Sequence, residues 1–248
     1  MMDVLSEFPE DSIEIDIYKR NINGCLDLNR FTKLQKLSCV KNKITKIENL
    51  PNTLIELVCS SNHLTELKNL PDSLEKLICS DNQITELDNL PSSLKELHCG
   101  HNLIKNLDNL PKTLLRLYCG ENEILKLDHL PDNLQILECY SNVIIKLDFL
   151  PTSLTVLDCG SNKIENLDNL PNCLIKLKCY NNKITNLDNL PDSITELDCR
   201  FNSITNFENL PINLVSLFLG SGFFEEEEEN TLSSFLKKRY PHLKFIMT

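Results

Sequence analysis

Residues 71–90, PDSLEKLICSDNQITELDNL, decide the architecture, because the chain restates this stretch every 20 residues without an insertion. The shared pattern is Pro-x-x-Leu-x-x-Leu-x-Cys-x-x-Asn-x-Ile-x-x-Leu-x-x-Leu. Closing leucines run from Leu50 to Leu210, cysteines from Cys39 to Cys199 and asparagines from Asn42 to Asn202, all in step. A fixed period of this size marks a solenoid, since one copy cannot bury its apolar face alone and must stack on the next. Within each copy the Leu-x-Cys alternation, as in EKLICS at 75–80, has the period of a short strand, and stacked copies give a parallel sheet. The asparagine that follows is polar among apolar neighbours, so its amide must bond backbone groups of its own and the adjacent turn. The return segment ends in proline so regularly that it is expected to be extended or turn-like rather than helical.

Outward from the repeat, residues 1–30 form an N-terminal cap in which Ile13, Ile15 and Ile17 alternate with acidic residues as in a strand. Ten repeats of the 20-residue pattern, the tenth only its first half, fill 31–220, and 221–248 form a C-terminal cap. In the tenth repeat Leu219 replaces the cysteine and Gly222 the asparagine. Phe223, Phe224 and the run Glu225 to Glu229 follow, read as a solvated lead-in. Asn230 is the expected N-cap of a helix carrying Leu232, Phe235, Leu236 and Tyr240, with Lys237, Lys238 and Arg239 in its last turn. Leu243 and Phe245 alternate as a final strand.

The formal net charge of −11 argues against nucleic acid and against anionic membranes, both of which need clustered Lys and Arg. No apolar run reaches about 18 residues, the start lacks a secretory pattern, and no N-x-[ST] acceptor occurs, so a cytoplasmic protein is expected. Of the eleven cysteines, nine share one inward column beside leucines. Side chains in register point the same way, which keeps their Cβ atoms too far apart for an unstrained bond, so buried free thiols are expected.

The motif LxxLxCxxNxI resembles the leucine-rich repeat family, over residues 31–220. Its Leu-Pro junctions look like the short repeats of bacterial effector proteins. The Asn-Leu-Pro-x-Ser-Leu junction with a strand cysteine is more similar to repeat proteins of giant viruses of amoebae. The resemblance implies a right-handed superhelix with short parallel strands on a concave wall, acting without catalysis by binding another protein, in the host cytosol if viral. Some bacterial relatives carry a ubiquitin-ligase domain after the repeats; this chain's capping helix stands there instead, and that activity is not implied.

The positions between the buried Leu and Cys supply the candidate partner surface: Val58, Ile78, His98, Tyr118, Glu138, Asp158, Lys178 and Asp198. A role in folding alone would leave this strip uniformly polar, and it is not. The column before the Leu, from Lys36, Glu56, Lys76, Glu96 and Arg116 to Lys176 and Glu196, alternates in charge and reads as a stabilising ladder. On the outer wall, Leu125, Val143, Ile145 and Phe149 are apolar where other copies are polar, a second patch that would serve self-assembly. The chain is nevertheless expected to be monomeric.

Chemistry finds little to stand on. His98 and His101 fall near Asp81, Glu121 and Tyr118, metal-ligand types that a solenoid wall also collects incidentally. The file Asp88, Asp108, Asp128, Asp148, Asp168 and Asp188 is expected to cap its own turns rather than bind calcium. Cys25-Leu26-Asp27 pairs a thiol with a carboxylate but lacks a histidine base, and reads as a packing cysteine rather than the centre of a cysteine-dependent enzyme. No cofactor, metal or catalytic residue is expected.

Overall fold

The computed structural model describes residues 4–220 and 226–247, and the side chains of these except 226–230 and Met247. The fold is a parallel-strand solenoid, divided into two units, Met1–Ile124 and Leu125–Thr248.

The first unit opens with one 3-10 turn, Val4–Glu7, which buries Leu5. Its strands are β1 (Glu14–Asp16), β2 (Asn23–Asp27), β3 (Lys36–Ser38), β4 (Lys43–Glu48), β5 (Glu56–Val58), β6 (Lys76–Ile78), β7 (Glu96–His98) and β8 (Arg116–Tyr118). The parallel sheet runs β1-β3-β5-β6-β7-β8, with Ile15, Leu37, Leu57, Leu77, Leu97 and Leu117 in one register row. β1 thus takes the place of a regular repeat strand. Ile15 and Ile17 face the core, whereas Ile13, expected beside them, precedes β1 and is exposed. β2 and β4 form a separate parallel pair on the return side, bulged at Gly24, whose φ of 86° suits only a residue without a Cβ.

The second unit continues with β9 (Ile136–Glu138), β10 (Val156–Asp158), β11 (Lys176–Lys178), β12 (Glu196–Asp198), β13 (Ser216–Leu219), helix α1 (Glu226–Arg239) and β14 (Lys244–Met247). All pair in parallel in chain order, β14 closing on β13. Asn230 lies inside α1 and does not cap it: the helix begins at Glu226. Glutamate is a good helix former, and negative charge is favoured at the first turn, so the acidic run joins the helix instead of leading into it. Gly222, Phe223, Phe224 and Glu225 lie outside the described residues. Leu236 and Tyr240 are buried. The Tyr240 hydroxyl donates to Glu208 O at 2.7 Å and accepts from Leu210 N at 3.2 Å, which pins the helix to the last coil.

Two polar ladders hold the coils in register. Asn82 Nδ2 donates to Cys79 O and Ser80 O of its own turn and to Cys59 O of the preceding one, at 3.1, 3.2 and 3.1 Å. Its Oδ1 accepts from Leu64 N at 3.0 Å, so one amide satisfies backbone groups of two coils. The second ladder was not expected. At the junction Ser73, Ser93 and Thr113 each donate to a leucine carbonyl of the preceding coil at 2.7–2.8 Å. Ser153 and Ser193 do the same in the second unit, and Cys173, half-buried, substitutes its thiol at 3.1 Å from Leu154 O. Beyond β4 the return segments among the described residues before α1 are neither helix nor strand, as their prolines lead one to expect, and share backbone bonds such as Leu103 N to Ile84 O at 2.9 Å.

The cysteine column from Cys39 to Cys199 is buried and none of its sulfurs is in a disulfide. Burial pushes the thiols of Cys39, Cys79 and Cys119 up to about 12. From Lys41 to Asn189 the chain also turns twice per coil through left-handed backbone. One row holds Asp81, His101 and Glu121. The other holds Asn49, Asn69, Asn89 and Asn109 in the first unit, and His129, Phe149, Asn169 and Asn189 in the second. Asparagine tolerates that region; phenylalanine does so at a cost.

Candidate functional site

In the first unit, register places Val58, Ile78, His98 and Tyr118 side by side on β5 to β8, and all four are half-buried. The His98 and Tyr118 rings stack with centroids 4.1 Å apart and planes 23° from parallel. Glu96 Oε1 lies 2.8 Å from His98 Nε2 and fixes the imidazole edge. Partial burial alone would raise the Glu96 carboxyl, but the His98 hydrogen bond and the Lys76 charge outweigh it and hold it below its ordinary value. The flanking column is the expected charge ladder: Lys76 Nζ sits 3.7 Å from Glu56 and 3.4 Å from Glu96, and Arg116 Nη1 3.5 Å from Glu96.

A third column lies on the far side of the cysteines, and the sequence pattern did not single it out. In the first unit it holds Ser60, Ser80, Gly100 and Gly120. A Cβ on Gly100 would stand 3.1 Å from Gly120 O, so the backbones there are bare and close. Their carbonyls are already engaged: Gly100 O accepts from Asp81 N at 3.0 Å and from Asn102 Nδ2 at 3.2 Å. The result is a low floor, its glycine carbonyls engaged and the Ser60 hydroxyl buried without a partner, beside a raised apolar and aromatic column.

The two histidines are not brought to a common ligand. His98 serves Glu96 and Tyr118, while His101 Nδ1 contacts Asp81 Oδ1 at the exposed turn. Among the described residues no group of three His, Cys, Asp or Glu could hold a metal ion.

In the second unit the same column reads Glu138, Asp158, Lys178 and Asp198. Two of these differ from expectation: Asp158 and Asp198 are 5% and 6% exposed and do not project. The third column covers them. Arg200 clamps Asp198, with Nε to Oδ1 at 2.9 Å and Nη2 to Oδ2 at 2.7 Å. Asp158 accepts from Gly160 N at 3.2 Å and has Lys178 Nζ 3.4 Å away, and burial raises its carboxyl above the ordinary value. Tyr180 leans over Gly160, where a Cβ would come within 2.3 Å of its ring. Burial and the negative charges of Asp158 and Asp198 push the Tyr180 hydroxyl up to about 12. The signal for Tyr140, Tyr180 and Arg200 was present in the sequence as large residues in a column otherwise mostly Ser or Gly.

On the return face, Leu125, Ile145 and Phe149 are 53%, 48% and 90% exposed, and Val143 is half-buried. Phe149 is also left-handed, with φ 59°. Three aspartates of the file have partners other than the turn caps expected of them. Asp128 and Asp148 take Lys126 and Lys146, and Asp188 accepts from Asn209 Nδ2 at 3.2 Å. At Asp188 the asparagine two residues earlier serves the turn, Asn186 Oδ1 accepting from Asp188 N at 3.2 Å. Cys25 is exposed and donates to Glu48 Oε2 at 3.3 Å; burial and that carboxylate raise its thiol, the reverse of an activated nucleophile.

Residues 72–112 match the family described as leucine-rich repeats, in two copies. No curated protein matches the chain. Among solved structures, YopM from Yersinia enterocolitica WA-314 is similar at 28% identity and a TM-score of 0.67, covering 84% of this chain and 52% of that one. The functional domain of InlJ from Listeria monocytogenes, which includes a cysteine ladder, gives 26% and 0.74, covering 95% and 52%. YopM of Yersinia pestis, a leucine-rich effector protein, gives 28% and 0.72, covering 83% and 65%. The chain therefore spans about half to two thirds of the length of these relatives. No helix among the described residues is long and apolar enough to cross a membrane.

Proposed function

We propose that the chain is a non-enzymatic protein-interaction module whose strand face receives another protein, centred on Val58, Ile78, His98 and Tyr118. The carrying observation is the His98–Tyr118 stack, held by Glu96 beside a floor of Ser and Gly. Rigid aromatic area, already ordered before contact, is what interface hot spots use, and the neighbouring charges are internally neutralised. Glu138 and Lys178 extend the reading to the second unit, where Asp158 and Asp198 act as buried supports for Lys178 and Arg200. The net charge of −11 favours a protein over nucleic acid or an anionic membrane as the partner. A viral source and action in a host cytosol are part of the same proposal, supported by the junction and cysteine pattern of the repeat.

The test is capture of a partner by the intact chain, followed by Ile78→Glu and Tyr118→Ala, with folding checked by circular dichroism. Both variants should fold and lose that partner. Undiminished binding by both would place the contact elsewhere.

A further inference from the structure

We propose that the return face of the second unit joins two copies of this chain across a two-fold axis, through the coils at 125–130 and 145–150. This stands independently of the strand-face reading. Phe149 carries the argument first. Six of the other positions in its left-handed row, Asn49, Asn69, Asn89, Asn109, Asn169 and Asn189, are asparagine, the residue suited to that backbone. Phenylalanine there bears a conformational penalty and leaves its ring 90% exposed, two costs that folding does not reward.

The order of outward residues identifies the occupant. Along each of these two return segments the outward rows run apolar (Leu125, Ile145), then lysine (Lys126, Lys146), then aspartate (Asp128, half-buried, and Asp148), then aromatic (His129, Phe149). A two-fold axis reverses that order, so lysine rows meet aspartate rows and Phe149 meets the Leu125–Ile145 row. Such self-complementarity is what an isologous contact requires. Within one copy Lys126 contacts Asp128, and Lys146 lies 3.7 Å from Asp148, so the patch is locally neutral. On a chain of net charge −11, a neutral apolar patch is where a second copy approaches with least repulsion. The corresponding coil at 165–169, Glu-Asn-Leu-Asp-Asn, lacks both the apolar and the lysine rows.

Sedimentation equilibrium of the full chain, from low to high micromolar, tests the contact. The wild type should form a reversible dimer. Phe149→Asn installs the residue of the other coils, so it should be monomeric with an unchanged or raised melting temperature. Lys126→Asp with Lys146→Asp, and separately Asp128→Lys with Asp148→Lys, should each abolish dimerisation, and an equimolar mixture of the two double variants should restore it. A wild type that stays monomeric throughout overturns the proposal. So does a Phe149→Asn chain that dimerises as well as the wild type, or a mixture that fails to associate.

Discussion

His98 lies face to face with Tyr118, centroids 4.1 Å apart, while Glu96 holds the outer imidazole nitrogen at 2.8 Å. Two residues 20 apart in sequence become a single rigid aromatic plate because β7 and β8 pair in register. Tyr118→Ala should therefore be mild for folding, about 0.5–1.5 kcal/mol beyond lost area by urea denaturation. It should be severe for partner capture, and a large stability loss with retained capture would invert the assignment.

The asparagine ladder predicts a steeper cost. Asn102 Nδ2 donates to Cys79 O, Cys99 O and Gly100 O, and its Oδ1 accepts from Ile84 N at 2.9 Å. Asn102→Ala strands the Ile84 N–H in a buried site, for a loss of about 1–3 kcal/mol or more. Hydrogen exchange at Ile84 should accelerate selectively.

The thiol column predicts alkaline instability. Burial raises Cys119 from an ordinary 9.0 to about 12, and Cys39 and Cys79 likewise. Above pH 9 the unfolded chain releases thiol protons that the folded chain keeps, so stability is full below that pH and falls as pH rises toward 12. Each such thiol contributes up to about 1.4 kcal/mol per pH unit in that window. Urea midpoints from pH 8 to 11 check the sign. Cys119→Ser should cost about 1–3 kcal/mol through a buried hydroxyl. Cys119→Val should be mild unless overpacked, and a neutral serine would mean the column meets water.

Gly160 and Tyr180 form a coupled pair. Gly160→Ala places a Cβ where the ring now lies, forcing Tyr180 outward. Its hydroxyl should then titrate below about 12, toward the ordinary 10.0, in an ultraviolet titration compared with Tyr180→Phe.

Period, strand position, thiol burial and the Asn ladder were legible in the sequence because all follow from one spacing. Variable side chains that cover one another across coils were not. Asp158 and Asp198 look like surface charges until Tyr180 and Arg200, on the next column, are seen to cover them. Asn230 looks like a cap because the pattern marks the apolar stripe of α1 but not how far glutamates extend the helix ahead of it. Phe149 was visible as apolar; its left-handed backbone was not.

The most direct measurement is site-specific photo-crosslinking to a partner captured by the intact chain. A photoreactive side chain at Ile78, on the strand face, should yield the adduct, and one at exposed Lys105, on the return side of the same unit, should not. An adduct from position 105 with none from position 78 would contradict the account.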